Sequence, residues 1–202
     1  MTKMSKKLLK KISETLDTLE SSSDVVVYAL DETSVSVESN NRSLWSMVGH
    51  PPILEKNGSH KGINIIGSTS ILNEFHTVND IYSSQQSITS KEIKSHIEYL
   101  LKINDDKKVV IFMDNAKIHK SLLMESFYYD NKDNLSIIFL PKYSPDMNPQ
   151  ENVWNHLKAK LFKPSARKSI YELASDIKMI FDELNDNPYE IHSLAYARNF
   201  LV

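Results

Sequence analysis

Three carboxylates stand where chemistry could be done. Asp31 closes the apolar run Val25-Val26-Val27-Tyr28-Ala29-Leu30, and Asp114 closes a second, Val109-Val110-Ile111-Phe112-Met113. Glu151 follows Asn148-Pro149 at the opening of a helical pattern. Two strand-end aspartates and one helix-start glutamate can converge on one point. There they repel one another unless cations sit between them. Hard oxygen donors of this kind suit divalent metal ions and, with them, phosphate chemistry.

Each acid alone has a plainer reading. An aspartate after a strand is often a turn residue or a helix cap. Asn148 suits an N-cap and Pro149 the first helical position, so Glu151 falls at N3, where it can close a capping box. The string Asp114-Asn115-Ala116-Lys117-Ile118-His119 is more specific, with an acid, an amide and an imidazole at a strand-to-helix junction. His119 reads either as a polar residue of the first helical turn or as a group that contacts phosphate or orients water. Prolines at 141, 145 and 149 fix φ and stiffen the approach to Glu151. His50, His60, His76, His96 and His156 have no mutual ligand spacing, so no zinc site is expected.

The elements that must position these acids follow from periodicity. Leu8, Leu9, Ile12, Leu16 and Leu19 recur at helical spacing over residues 5–20, and Ser21-Ser22-Ser23-Asp24 ends that helix. Strands are expected over 25–31, 63–69, 74–82, 108–113 and 135–140. Helices are expected over 89–101, 118–128 and 149–162, with a final long one capped by Ser169 and Glu172. Residues 38–62 read as a long irregular excursion, a length that usually signals function. Short links make the first three strands antiparallel, and intervening helices make the later ones parallel. The layout is that of an α/β, ribonuclease H-like fold, a mixed five-stranded sheet flanked by helices. In it the first and fourth strands lie side by side and bring Asp31 and Asp114 to one edge, where the strand order reverses. Residues 1–23 read as a helix and linker, and 24–202 as the catalytic domain.

Composition fits this. The chain has 202 residues, 41% hydrophobic and 25% charged, enough for one domain with a sizeable core. No apolar stretch reaches a membrane span, and no signal peptide follows the basic N-terminus. The absence of cysteine excludes disulfides and thiolate metal sites and fits the cytoplasm. A net charge of −2 argues against a strong free-standing DNA binder. Yet six basic residues between Pro141 and Ile170 (Lys142, Lys158, Lys160, Lys163, Arg167, Lys168) face only Asp146 and Glu151, a local +4. That stretch reads as a solvated helix face or as a seat for a phosphate backbone.

Taken together, Asp31-Glu32-Thr33, Asp114-Asn115-Ala116 with His119, and Tyr143-Ser144-Pro145 with Asn148-Pro149, Glu151 and Trp154 resemble the DDE catalytic domain of mariner-type transposases, in particular their prokaryotic insertion-sequence relatives. The step of 37 positions from 114 to 151 is similar to the family's. Trp45, Gly49 and Pro51 resemble the segment after the first strand that serves DNA and subunit contacts. The resemblance covers roughly residues 24–165. It implies that Asp31, Asp114 and Glu151 hold two Mg²⁺ or Mn²⁺ ions, with Asp31 bridging, and that no covalent protein–DNA intermediate forms. It further implies cut-and-paste movement of transposon ends into target DNA at TA dinucleotides, by a homodimer, in a prokaryotic cytoplasm with nucleoid association on DNA. Asn115, His119, Lys142, Tyr143, Lys158, Lys160 and Trp45 are the secondary candidates for touching DNA or supporting the acids. Met147 and Gln150 stand where the family more usually has aliphatic residues. Only about 24 residues precede the first strand, so the family's helix-turn-helix module is expected to be absent and supplied by a separate DNA-binding subunit.

Three rivals remain open. A ribonuclease H-like nuclease would cleave without joining strands. An inactive remnant would bind DNA or protein only. A phosphatase with an Asp-x-Asp nucleophile motif is weakened by Thr33.

Overall fold

Apolar residues at both parities of Val25–Leu30 demand a strand covered on both faces. The computed structural model, which describes residues 14–38, 46–50, 53, 56, 58–141, 145–163, 165 and 167–199, covers it. The chain runs through a helix α1 (14–20), β1 (Val25–Ser36), β2 (Gly62–Ser70), β3 (Thr77–Ser83), α2 (Ser90–Ile103), β4 (Lys108–Met113), α3 (Leu122–Asp130), β5 (Leu135–Phe139), α4 (Gln150–Lys160), α5 (Ile170–Asn185) and α6 (Pro188–Ala195). The sheet order is β3-β2-β1-β4-β5. β1–β2 and β2–β3 pair antiparallel, while β1–β4 and β4–β5 pair parallel. This is the expected ribonuclease H-like α/β arrangement, with helices on both faces.

The two parities of β1 feed two cores. Val27, Ala29 and Val35 pack with Val110 and Phe112 of β4 under Val153, Trp154 and Leu157 of α4 and Leu173, Ile177 and Phe181 of α5. Val26, Tyr28 and Leu30 pack on the opposite face with Val109, Ile111 and Met113 under Ile93, Ile97 and Leu100 of α2 and Met124 and Phe127 of α3. A residue's parity therefore decides which helices it meets.

Several boundaries differ from the sequence expectation. β1 does not stop at Asp31 but continues to Ser36, paired with β2 as far as Ser36 opposite Gly62. Past Asp31 only Val35 of the strand is buried, so the continuous apolar run ends while the strand goes on. The expected helix over 118–128 is two pieces, a 3₁₀ turn (Lys117–Lys120) and then α3, because Ser121 is extended and its hydroxyl accepts from the Met124 amide. The final helix is also two, since Asn187-Pro188 ends α5 and starts α6. α1 is not a detached linker. Leu16 is buried in the core, and Arg198 binds Asp17 at 2.7 Å and also Glu20, which accepts from the Tyr196 hydroxyl at 2.7 Å.

Candidate active site

Register sets the two aspartates side by side. The parallel β1–β4 ladder ends at Ala29 opposite Phe112, so two residues further on Asp31 and Asp114 emerge from neighbouring strands, whose spacing is about 4.8 Å. Asp31 shares the parity of Ala29, which belongs to the core under α4, whereas Asp114 follows the last residue of β4 and turns to His119. Asp31 lies within β1 rather than at its end, but it is past the end of β4, at the reversal point of the strand order.

Asp31 is half-buried and crowded by charge. Burial first, then the charge of Glu32, then that of Glu151 push its carboxyl up to about 7, against the backbone hydrogen bond of Glu32 and the Trp154 indole. Trp154 Nε1 donates to Asp31 Oδ2 at 3.1 Å. The indole lies over Gly67, which pairs with Asp31 across the β1–β2 ladder, and any Cβ at position 67 would overlap the ring. Glycine is required here to let a large ring reach a carboxylate.

Glu151 enters on the first turn of α4. α4 begins at Gln150, one residue later than expected, yet Asn148 still works as a cap, since its Oδ1 accepts from the Gln150 amide at 3.2 Å. No capping box forms, because the Glu151 carboxylate makes no hydrogen bond to the Asn148 amide among the described residues. The cap reading of Glu151 thus loses its contact. The charge of Glu151 instead falls on Asp31.

Asp114 is held by its own loop. Its Oδ1 accepts from the Ala116 amide at 2.8 Å and lies 2.9 Å from His119 Nδ1. His119 is fully buried, and its Nε2 lies 2.8 Å from Glu32 Oε1. Burial works against a charged ring, but the Glu32 hydrogen bond and charge and the contacts with Asp114 outweigh it, so the His119 pKa is raised. Among the described residues, no three acidic or histidine side chains close into a ready-made cation cage. The structure joins Asp31 with Glu151 electrostatically and Asp31 with Asp114 through the register. Asp114 itself faces His119.

The secondary candidates divide. Trp45, Lys142 and Tyr143 lie outside the described residues. Asn115 ties the exit of β4 to the end of β5, its amide donating to Leu140 O and its Oδ1 accepting from Lys120, so its role is to brace the loop. Lys160 sits 3.9 Å from Glu183, an exposed and weak pair. Lys158 lines a cleft beside the outer half of β1 with Val35, Ser36 and Phe162. Much of the local positive charge is spent internally. Arg167 is buried, bonding Asp176 at 2.7 Å and Leu161 O at 2.5 Å, and Lys163 binds Glu172 at 2.5 Å.

Glu32 and Trp154 have parts at this site that the sequence reading did not give them. Strand alternation turns Glu32 to the face opposite Asp31, towards His119. Trp154 lies one helical turn after Glu151, so the two share a side of α4. A second constellation is only structural. Ser68 Oγ, His96 and Asp80 line up at 2.8 and 2.6 Å like a hydrolytic triad, but Ser68 and His96 are both fully buried, so no substrate reaches the hydroxyl.

Comparison with known proteins agrees with this fold. The model of a family described as DDE superfamily endonuclease matches residues 26–173. The chain is 26% identical over 93 residues to the uncharacterized protein y4pE/y4sA of Sinorhizobium fredii, 46% of this chain and 65% of that one. It is 27% identical over 89 residues to the insertion element IS630 uncharacterized 39 kDa protein of Shigella sonnei, 44% of this chain and 26% of that one. The fold is similar to the crystal structure of the Mos1 mariner paired end complex with Mn, with a TM-score of 0.71 at 15% identity, covering 96% of this chain and 60% of that one. The chain thus spans only part of the length of each.

Proposed function

The chain belongs to the DDE superfamily endonucleases, of the mariner and IS630 type, and from that premise we propose that it is the catalytic domain of a cut-and-paste transposase, cleaving DNA at transposon ends and joining them to target DNA. What supports the reading is the placement of Asp31 and Asp114 on the neighbouring strands β1 and β4 at the reversal point of the sheet, with the Asp31 carboxyl raised to about 7 by burial first, then by the charges of Glu32 and Glu151. Such a pile of negative charge is stable as ionised carboxylates only when a cation neutralises it.

The donor set fits Mg²⁺ or Mn²⁺, since three carboxylates offer only hard oxygens and no described thiolate competes. In this reading Asp31, Asp114 and Glu151 would hold the two ions. When bound, the ions activate water or a DNA 3′-hydroxyl and stabilise the leaving oxygen. The protein's part is placement. β1 and β4 fix the two aspartates on one rigid sheet, and α4 delivers Glu151 from the side. Trp154 holds Oδ2 of Asp31 through its indole N–H. Lys158 and Lys160, with Lys142, Tyr143 and Trp45, are assigned to the phosphate backbone. No nucleophilic serine, tyrosine or cysteine is required. A homodimer, a separate DNA-binding subunit, TA targets and a cytoplasmic, nucleoid-associated setting complete the proposal. No described helix is long and apolar enough to cross a membrane.

A cleavage-and-joining assay tests it. Duplex carrying the element's terminal repeats is incubated with Mn²⁺, target plasmid and, where needed, the DNA-binding partner. Nicked ends joined at TA are expected from wild type and neither product from Asp31→Asn. Nicks without joins would reduce the protein to a nuclease, and products retained by Asp31→Asn would reject the site.

A further inference from the structure

We propose that Glu32 and His119 form a positioning pair that fixes Asp114 as a single-oxygen metal ligand, an inference that rests on the metal site proposed above. Asp114 stands at the tip of β4 with its side chain 55% exposed, and a side chain so placed would ordinarily sample several rotamers. Here it does not hang free. The Ala116 amide donates to Oδ1 at 2.8 Å, and His119 Nδ1, which also hydrogen-bonds the Asp114 backbone carbonyl at 3.3 Å, lies 2.9 Å from the same Oδ1. Oδ2 carries no hydrogen bond among the described residues, so one oxygen is occupied and the other is presented. The carboxylate is thereby oriented before any ligand arrives.

The ring that does this is itself immobilised. His119 has no exposed surface, and its far nitrogen is held by Glu32 Oε1 at 2.8 Å. Its 3₁₀ turn is pinned from two helices. Tyr128 of α3 donates its hydroxyl to His119 O at 3.1 Å, and Ser90 of α2 donates to Ile118 O at 2.6 Å. Glu32 comes from β1, the strand that carries Asp31, one residue on and turned to the other face of the sheet. The chain of contacts Glu32–His119–Asp114 therefore links the strand of one aspartate to the side chain of the other. A change in the relative position of β1 and the β4 exit would be felt by both.

A merely structural explanation does not account for the residue types. Burying an imidazole against the largely covered Glu32 carboxylate desolvates two polar groups, and well-packed apolar residues would stabilise such a spot at least as well. The arrangement makes sense when the orientation of Asp114 is what matters. Outer-layer partners of this kind typically contribute 10–100-fold to metal affinity.

Mn²⁺ titration into the full chain, followed by calorimetry, tests the pair. His119→Ala is expected to weaken Mn²⁺ binding by about 10–100-fold, and Glu32→Gln by less. Because Glu32 acts only through the ring, Glu32→Gln added to His119→Ala should change nothing further. His119→Gln, whose amide can still give one N–H to Asp114, should recover part of the loss. Circular dichroism checks the fold of each variant. Where His119→Ala does not fold, His119→Gln and Glu32→Gln carry the test, and wild-type affinity in both overturns the pair. Asp114→Ala separates this inference from the proposed function. If it abolishes binding while His119→Ala binds like wild type, the positioning pair is wrong and the metal site stands. If Asp114→Ala also binds like wild type, the metal site fails and the pair with it. Additive losses from Glu32→Gln and His119→Ala would likewise overturn it.

Discussion

Trp154 donates its indole N–H to Oδ2 of Asp31 at 3.1 Å across 123 residues of sequence. The contact exists because α4 lies on the face of the sheet to which Asp31 points, and because Gly67 leaves room for the ring between them. A helix that supplies one acid, Glu151, thus also steadies another.

This relationship can be tested by two substitutions. Trp154→Phe keeps an aromatic ring but removes the donor, and it is expected to lower divalent-metal affinity by about tenfold with the fold intact. Gly67→Ala places a methyl against the ring and is expected to cost about 1–3 kcal/mol in denaturant unfolding, since the strand and α4 cannot both stay in place. Wild-type metal affinity in Trp154→Phe, or unchanged stability in Gly67→Ala, would contradict the packing described.

Gln150, with Met147, is one of the two positions where the sequence reading expects an aliphatic residue, and its surroundings give the amide a cost. It is fully buried at the start of α4, and neither its amide nitrogen nor its amide oxygen has a partner among the described residues. A buried amide without hydrogen bonds costs about 1–3 kcal/mol. Gln150→Leu is therefore expected to raise Tm, by an amount equivalent to about 1 kcal/mol or more. A lower Tm in Gln150→Leu would mean that the amide has a role in stability that its surroundings do not show.

His76 provides a pH dependence. Its Nε2 sits 2.6 Å from the Tyr28 hydroxyl, and burial, outweighing the opposing effects of Glu74, lowers its pKa below the ordinary 6.5. The unfolded chain therefore takes up the proton before the folded one does. The stability contributed by neutral His76 is complete above pH 6.5 and is lost as pH falls through the lower folded value. The Tm difference between wild type and His76→Gln should accordingly shrink between about pH 7.5 and 5. Parallel Tm curves for the two proteins would contradict this.

Much of the fold was legible because its signals are local. Double-parity apolar runs gave β1 and β4, capping residues gave α2 and α5, and short links gave the antiparallel half of the sheet. The boundaries that were missed have a common cause. Past Asp31 the strand is held by pairing with β2, not by burial of every residue, and pairing leaves only a faint alternation in sequence. Likewise Ser121 and Pro188 interrupt helices whose apolar patterns run on through them.

The three proposed acids were picked out from the ends of two apolar runs and a proline-flanked helix start. Their neighbours were not. Glu32 and His119 are 87 residues apart and meet only because the fold sets them on one face. The basic stretch after Pro141 overstates the exposed charge for the converse reason. Arg167 counts as positive charge in the sequence, yet in space it is a buried strut on Asp176.

The sharpest test of the account is Glu151→Gln. Glutamine preserves the shape of Glu151 and its place on the first turn of α4. Because the Glu151 carboxylate makes no capping hydrogen bond, stability should change by less than about 1 kcal/mol. A neutral amide is a poor ligand for Mg²⁺ or Mn²⁺. Metal-dependent cleavage of DNA bearing the correct ends should therefore be lost in Glu151→Gln while the thermal unfolding curve stays that of wild type. Cleavage at a rate comparable to wild type would show that Glu151 is no metal ligand, and the three-carboxylate site would be refuted.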